Sequence, residues 1–183
     1  MTNPNKFLAK EEFNDGKYQV LSMTDGESNL RRIICTTPSI CLIPFDTNED
    51  KIRNVYLARY MDYLNGEHGH TCIVLDSKGE FNSDFEEVEH ACKSELRINC
   101  DVNDVYYLGK IKFSLPFTKE IKCYGINLDG HSKDLSGFTI DTDQSDNKMY
   151  ILDKVRFTRI LNGEIDDSTC LSAALLLASY INK

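Results

Sequence analysis

The chain has 183 residues, of which 41% are hydrophobic and 27% charged, and a net charge of −8. That length suits a single domain able to bury most of its apolar surface without staples. The charge disfavours general affinity for nucleic acid or an anionic membrane, because both require clustered Lys and Arg. No run of 18 apolar residues is present to span a bilayer. The opening MTNPNKFLAKEEFNDG is polar and acidic and does not read as a signal peptide.

In chain order, residues 1–29 read as an extension or as first strands, and 30–183 as one domain. LRRIICTT (30–37) and ICLIPF (40–45) are β-branched and strand-like. DTNEDK (46–51) reads as a turn, VYLARYMDYL (55–64) as a strand, NGEHGH (65–70) as a glycine loop and TCIVLD (71–76) as a short buried strand. A helix is expected at about 83–99. VYYLGKIKFSL (105–115), EIKCYGINLD (120–129) and KMYILDKVRF (148–157) read as strands, with a long polar loop over 130–147. LNGEIDD (161–167) leads into a second helix at about 167–182, apolar on most sides and expected to be well buried. Strands before and after one central helix, with a helix at the end, predict an α+β fold: a mixed α/β sandwich with helices flanking a mixed sheet.

The seven cysteines form no C-x-x-C pair, and several lie in apolar runs. They read as reduced core thiols of a cytoplasmic protein.

The central helix poses a chemical question. At 100° per residue, Phe85, Val88, Ala91, Cys92, Leu96 and Ile98 share one side, and Glu95 and Asn99 fall within the same arc. A carboxylate there either makes an ion pair with a buried cation such as Arg59 or Lys110, or belongs to a metal or ligand site. Glu86 has a simpler reading: Ser83-x-x-Glu86 is a capping box.

The segment also resembles the loop–helix–loop box of the Nudix hydrolases, G-x5-E-x7-R-E-U-x-E-E-x-G-U, where U is a bulky apolar residue. With Glu95 on the Glu of the R-E pair, Glu86 falls on the upstream Glu, Leu96 on the first U and Val102 on the last. Gly79 lies one residue off the required glycine, a register held by Glu80. Ser94 stands for Arg, Ile98 and Asn99 for the E-E pair, and Asp101 for the second Gly. VYLARYMDYL before the box, DLSG (134–137) after it and the closing helix are similar to the ADP-ribose and nucleotide-sugar branch. The resemblance spans roughly residues 30–181 and rests on order and texture more than on motif identity.

The resemblance implies a Nudix-like fold. It implies hydrolysis of a nucleoside diphosphate linked to another group, with Mg²⁺ or Mn²⁺ held by box glutamates. Such cations want several carboxylate oxygens, which glutamates at i, i+3 and i+4 supply from one helix face. Here only Glu95 keeps its carboxylate, since Ile98 cannot bind metal and Asn99 offers a neutral oxygen. The expected function is therefore a catalytically degenerate Nudix-like protein, a ligand-binding or protein-interaction component. Glu95 is the catalytic candidate, and Arg59, Glu86 and Asn99 are the ligand-binding candidates. Glu95 and Asn99 are the metal ligands only if a metal site is retained. No cofactor is expected, or Mg or Mn if the protein is active. A protein partner or homo-oligomer and a nucleotide-like small molecule are the expected partners, with no nucleic acid and no membrane. One alternative is a divergent pyrophosphohydrolase joining Glu95 to acidic residues outside the box, such as Asp141, Asp143 or Asp146. Another is an unrelated α+β interaction protein.

Other features have plainer readings. His68 and His70, with Glu67 or Cys72, would make a metal site only with further ligands; they read as loop residues. DTDQSDN (141–147) lacks the glycine and terminal Glu of a calcium loop and reads as a solvated turn. Arg31, Arg32 and Arg53 suit phosphate but read as surface residues. The tyrosines read as packing residues rather than base-stacking ones. His90 and Cys92 point apart on a helix, which disfavours a thiol nucleophile. The Asn-, Asp-, Ile- and Lys-rich texture suits an AT-rich genome, a viral one included.

Overall fold

The β-branched segments pair into one mixed sheet in a computed structural model that describes residues 8–14, 18–24, 30–61, 68–77, 79–113, 117–131, 135–143 and 148–181. Strands β1 (Leu8–Asn14), β2 (Tyr18–Thr24) and β3 (Leu30–Thr36) form an antiparallel meander. The later strands are β4 (Ser39–Asn48), β5 (Lys51–Met61), β6 (His68–Thr71), β7 (Ile73–Asp76) and β8 (Val105–Phe113). They are followed by β9 (Phe117–Asn127), β10 (Thr139–Asp143) and β11 (Lys148–Arg156). The order is β1-β2-β3-β9-β4-β5-β11-β10, with β6 on β5, β7 on β4 and β8 on β9. Only the β3–β9 and β4–β9 pairings are parallel among the described residues.

β4 and β5 pair from Phe45 and Val55 to Asn48 and Lys51, then splay apart. The chain from β6 to β7 fills the gap: β6 pairs with Ala58–Met61 and β7 with Ser39–Leu42. Cys72, between the two strands, marks the switch of partner.

Alternation along the strands gives the sheet two apolar faces. One carries Ile40, Leu42, Tyr56, Ala58, Tyr124 and Ile126, covered by α1 (Asp84–Ala91) and the wide π-type turn Cys92–Leu96 that prolongs it. The other carries Cys41, Ile43, Phe45, Val55, Leu57 and Cys123, covered by α2 (Phe157–Leu161) and α3 (Ser168–Ile181). The sheet lies between two helical layers, as expected of the α+β sandwich.

Several expectations need correction. The central helix stops at Leu96, not 99, and Arg97 takes a left-handed conformation at φ 53°. The segment 46–51 is not all turn: β4 runs to Asn48, and Glu49 and Asp50 alone turn the chain. Thr47 pairs with Ile52 of β5, and its N–H and hydroxyl both donate to the Asp129 carboxylate. The histidines of NGEHGH lie in β6 rather than in a loop, and 62–67 is outside the described residues. The polar stretch 130–147 contains β10, which pairs with β11. Helix α2 was not anticipated. Helix α3 buries Cys170, Ala173, Ala174 and Leu177 but leaves Leu171, Leu175 and Tyr180 exposed, so it is buried on one side only.

Candidate functional site

The helix that carries the candidate residues begins at a cap. Ser83 Oγ accepts the Glu86 N–H at 3.2 Å, and Glu86 Oε2 accepts the Asn82 N–H at 3.0 Å. Both side chains are exposed and satisfy the helix start. The glycine just upstream, Gly79, has φ 64°, a conformation that favours glycine.

Asp84, the first helical residue, makes the tie to the sheet. Its carboxylate accepts from Lys122 Nζ at 2.6 Å and from the Tyr124 hydroxyl at 3.0 Å, both on β9. The Lys122 ammonium, helped by the Tyr124 hydroxyl, holds the Asp84 carboxyl below its ordinary pKa. Burial and the adjacent Asp84 carboxylate push the Tyr124 phenol up. Sequence reasoning missed this group. An acid in a first helical turn is a common helix-start signal, but nothing local names a partner on a strand 38 residues away.

Glu95 sits in the π-type turn, half-buried, and its Oε1 accepts from Ser94 Oγ at 3.1 Å. The cations proposed as its partners are engaged elsewhere. Lys110 Nζ meets Glu120 at 2.7 Å, and Arg59 Nε lies 3.5 Å from Asp153. Arg59 is on the α2/α3 face of the sheet: it follows Val55 and Leu57 in alternation and lies opposite His70 across the β5–β6 pair. His70 Nε2 joins the same Asp153 carboxylate at 3.0 Å. Arg59 and Glu95 therefore belong to opposite faces.

Beyond Glu95 the chain leaves the helix. The N–H groups of Arg97 and Ile98 both donate to the Cys92 carbonyl, closing the helix end. The Arg97 guanidinium stacks 5.5 Å over the Phe138 ring, just after the DLSG loop whose Leu135 is fully buried. Ile98 turns into the core and Asn99 out to solvent. Asp101 caps a single 3₁₀ turn, Val102–Asp104, in which Asp104 returns a bond to the Asp101 N–H at 2.9 Å.

Glu95, Ile98 and Asn99 thus share no helix face, and the donor set of a box metal is not assembled. Among the described residues, no three His, Cys, Asp or Glu side chains come together as a cation would require. The residues present do not fit a box-bound Mg²⁺ or Mn²⁺. The Asp141 and Asp143 side chains, the His68 side chain, Glu67 and Asp146 lie outside the described residues, as do the Arg31 and Arg32 side chains. The tyrosines described serve packing: Tyr106 meets Phe45 and Tyr180, and Tyr107 meets Tyr124. No helix among the described residues is long and apolar enough to cross a membrane.

No protein-family model matches the chain, and no curated protein matches it. Among solved structures, the crystal structure of an ADP compounds hydrolase is similar, with a TM-score of 0.61 at 14% identity, covering 100% of this chain and 97% of that one. At that identity the likeness speaks to fold alone. The chain has the α+β, Nudix-like fold, a mixed sheet flanked by helices.

Proposed function

We propose that this protein is a catalytically degenerate member of the Nudix-like fold, acting as a binding or interaction component rather than as a metal-dependent hydrolase. The carrying observation is the helix end at Arg97. A box metal needs the residues three and four beyond Glu95 on the same helix face, and here Ile98 points inward and Asn99 outward from non-helical backbone. Glu86, the other box carboxylate, caps the helix. Loss of chemistry from a retained fold has general precedent. A nucleotide-like ligand or a protein partner is the proposed occupant of the surface beside Glu95.

A second reading, a divergent nucleoside diphosphate pyrophosphohydrolase using Mg²⁺ or Mn²⁺, draws on one observation: the similar solved structure is that of an ADP compounds hydrolase. One experiment separates the two. Wild type and Glu95→Gln are incubated with ADP-ribose, nucleotide sugars, dinucleoside polyphosphates and NAD(H), each with Mg²⁺ and with Mn²⁺, and Mn²⁺ binding is read by water-proton relaxation. The expected outcome is no turnover and no saturable Mn²⁺ binding in either protein. Turnover in wild type that Glu95→Gln abolishes would establish a rebuilt metal site and overturn the degenerate reading.

A further inference from the structure

The outer side of α3 is chemically unlike the rest of the chain. Ser168–Ile181 contains none of the 21 basic and 29 acidic side chains that set the net charge of −8. At 100° per residue, Ser168, Leu171, Ser172, Leu175 and Ser179 share one arc, opposite the buried Cys170, Ala173, Ala174 and Leu177. Leu175 is 54% exposed and Leu171, one turn before it, 36%. The two leucines make a ridge. Ser168 and Ser172, also four residues apart, run beside it with smaller side chains. One face therefore carries both a ridge and the low ground to receive one. Two copies of such a helix can interlock at a crossing angle of about 20°.

The chemistry of this face selects its occupant. A basic or acidic partner finds no charge on it to read. An anionic lipid surface is held by Lys and Arg on an amphipathic helix, and α3 has neither. A second copy of the chain matches it, apolar against apolar. Two acidic molecules repel each other, and an uncharged helix is where they approach at least cost. The charges that flank the helix differ in sign: Asp166 and Asp167 precede it and Lys183 follows it in sequence. Asp167 caps the helix by accepting the Cys170 N–H at 2.6 Å, while Asp166 is exposed. Laid antiparallel, two such helices bring the acidic start of each beside the basic end of the other. Their dipoles then oppose favourably as well.

We propose that α3 is a self-association surface, through which two copies of the chain form an isologous dimer with α3 packed antiparallel on α3. Leu175 of each copy seats beside Ser172 of the other, and the two-fold axis makes every contact twice. The interface centres on a helix of 14 residues, about 21 Å long. That is at the small end of specific interfaces, so the dimer forms reversibly as concentration rises. The α3 layer and α1 lie on opposite faces of the sheet, so dimerisation leaves the surface beside Glu95 open. The inference holds whether or not that surface binds a ligand.

Sedimentation equilibrium of the full chain, from micromolar to millimolar concentration, is the test. Dithiothreitol is present throughout to prevent links through the half-buried Cys35. Wild type is expected to move from 20.9 kDa toward twice that mass. Leu175→Glu is expected to weaken the dimer by about tenfold or more. Because Leu175 is exposed in the single chain, the variant's urea midpoint at micromolar concentration should match wild type, which separates lost contact from lost fold. Lys183→Asp is expected to weaken the dimer too, and Asp166→Lys added to it to restore association. Wild type that stays at 20.9 kDa throughout overturns the proposal and leaves the face to a different protein. A dimer untouched by Leu175→Glu overturns it as well, since that dimer is held elsewhere. A Lys183→Asp dimer as tight as wild type overturns the antiparallel arrangement.

Discussion

Asp84 does at a single residue what a cap alone cannot: it fastens the start of α1 to β9 through Lys122 and Tyr124. Its pKa is lowered from the ordinary 3.8, so its contribution to stability has a definite pH window. Folding favours the ionised form. The stabilisation is fully present above 3.8 and is lost as pH falls through the depressed folded value. The side chain is 53% exposed, so solvent screening keeps the effect within about 1 kcal/mol. Asp84→Asn is expected to lower the urea midpoint at pH 7, with the gap to wild type closing near pH 2. A gap of equal size at both pH values would show that the lost stability is not electrostatic. Glu95 contrasts with Asp84: its described hydrogen bond is to the adjacent Ser94, so it ties no two elements together.

At the scale of elements, the β4–β5 hairpin shows what local sequence conceals. Glu49 and Asp50 turn the chain with φ values of 52° and 60°, the left-handed pair of a type I′ turn. That turn favours Asn-Gly, and a side chain in this conformation costs roughly 1 kcal/mol or more. Asp50→Gly is therefore expected to stabilise the protein by about 0.5–1 kcal/mol, because relief of strain outweighs the added freedom of the unfolded chain. The check is a higher urea midpoint with an unchanged slope; a midpoint at or below wild type sinks the strain argument. The same stretch explains why DTNEDK misleads as sequence. It carries no glycine, and its strand character comes from the ladder with β5, in which Thr47 faces Ile52 and Asn48 faces Lys51. β10 misleads in the same way: a polar segment becomes a strand because β11 offers it a ladder. Periodicity did place α1 and its buried residues, from Val88 to Leu96. It fails at Glu95 and Asn99 because a π-type turn and a left-handed Arg97 break the 100° spacing. Ser83 and Glu86 were legible because a capping box is local. Asp84 with Lys122, and Arg59 with His70 and Asp153, were not, since each pairing spans separate strands or a helix and a strand.

For the whole molecule, the two helical layers are independent claims on one sheet, and the attachment of α3 has a definable fulcrum. Gly125, in the middle of β9, faces the α3 layer. A Cβ there would lie 3.1 Å from Phe45, 3.2 Å from Leu177 and 3.5 Å from Leu108. The absent side chain lets the fully buried Leu177 seat against the sheet. Gly125→Ala overpacks this contact and is expected to cost about 1–3 kcal/mol. Leu177→Ala leaves a cavity and is expected to cost about 2–5 kcal/mol. Together the two changes should cost less than their sum, because the added methyl enters space vacated by the leucine, and the coupling should reach about 1 kcal/mol. Urea unfolding of the four proteins in the cycle measures it. Strict additivity would mean that strand backbone, not Leu177, yields to the new methyl, and that α3 docks without the notch. A large coupling would locate the seating of the α3 layer at Gly125.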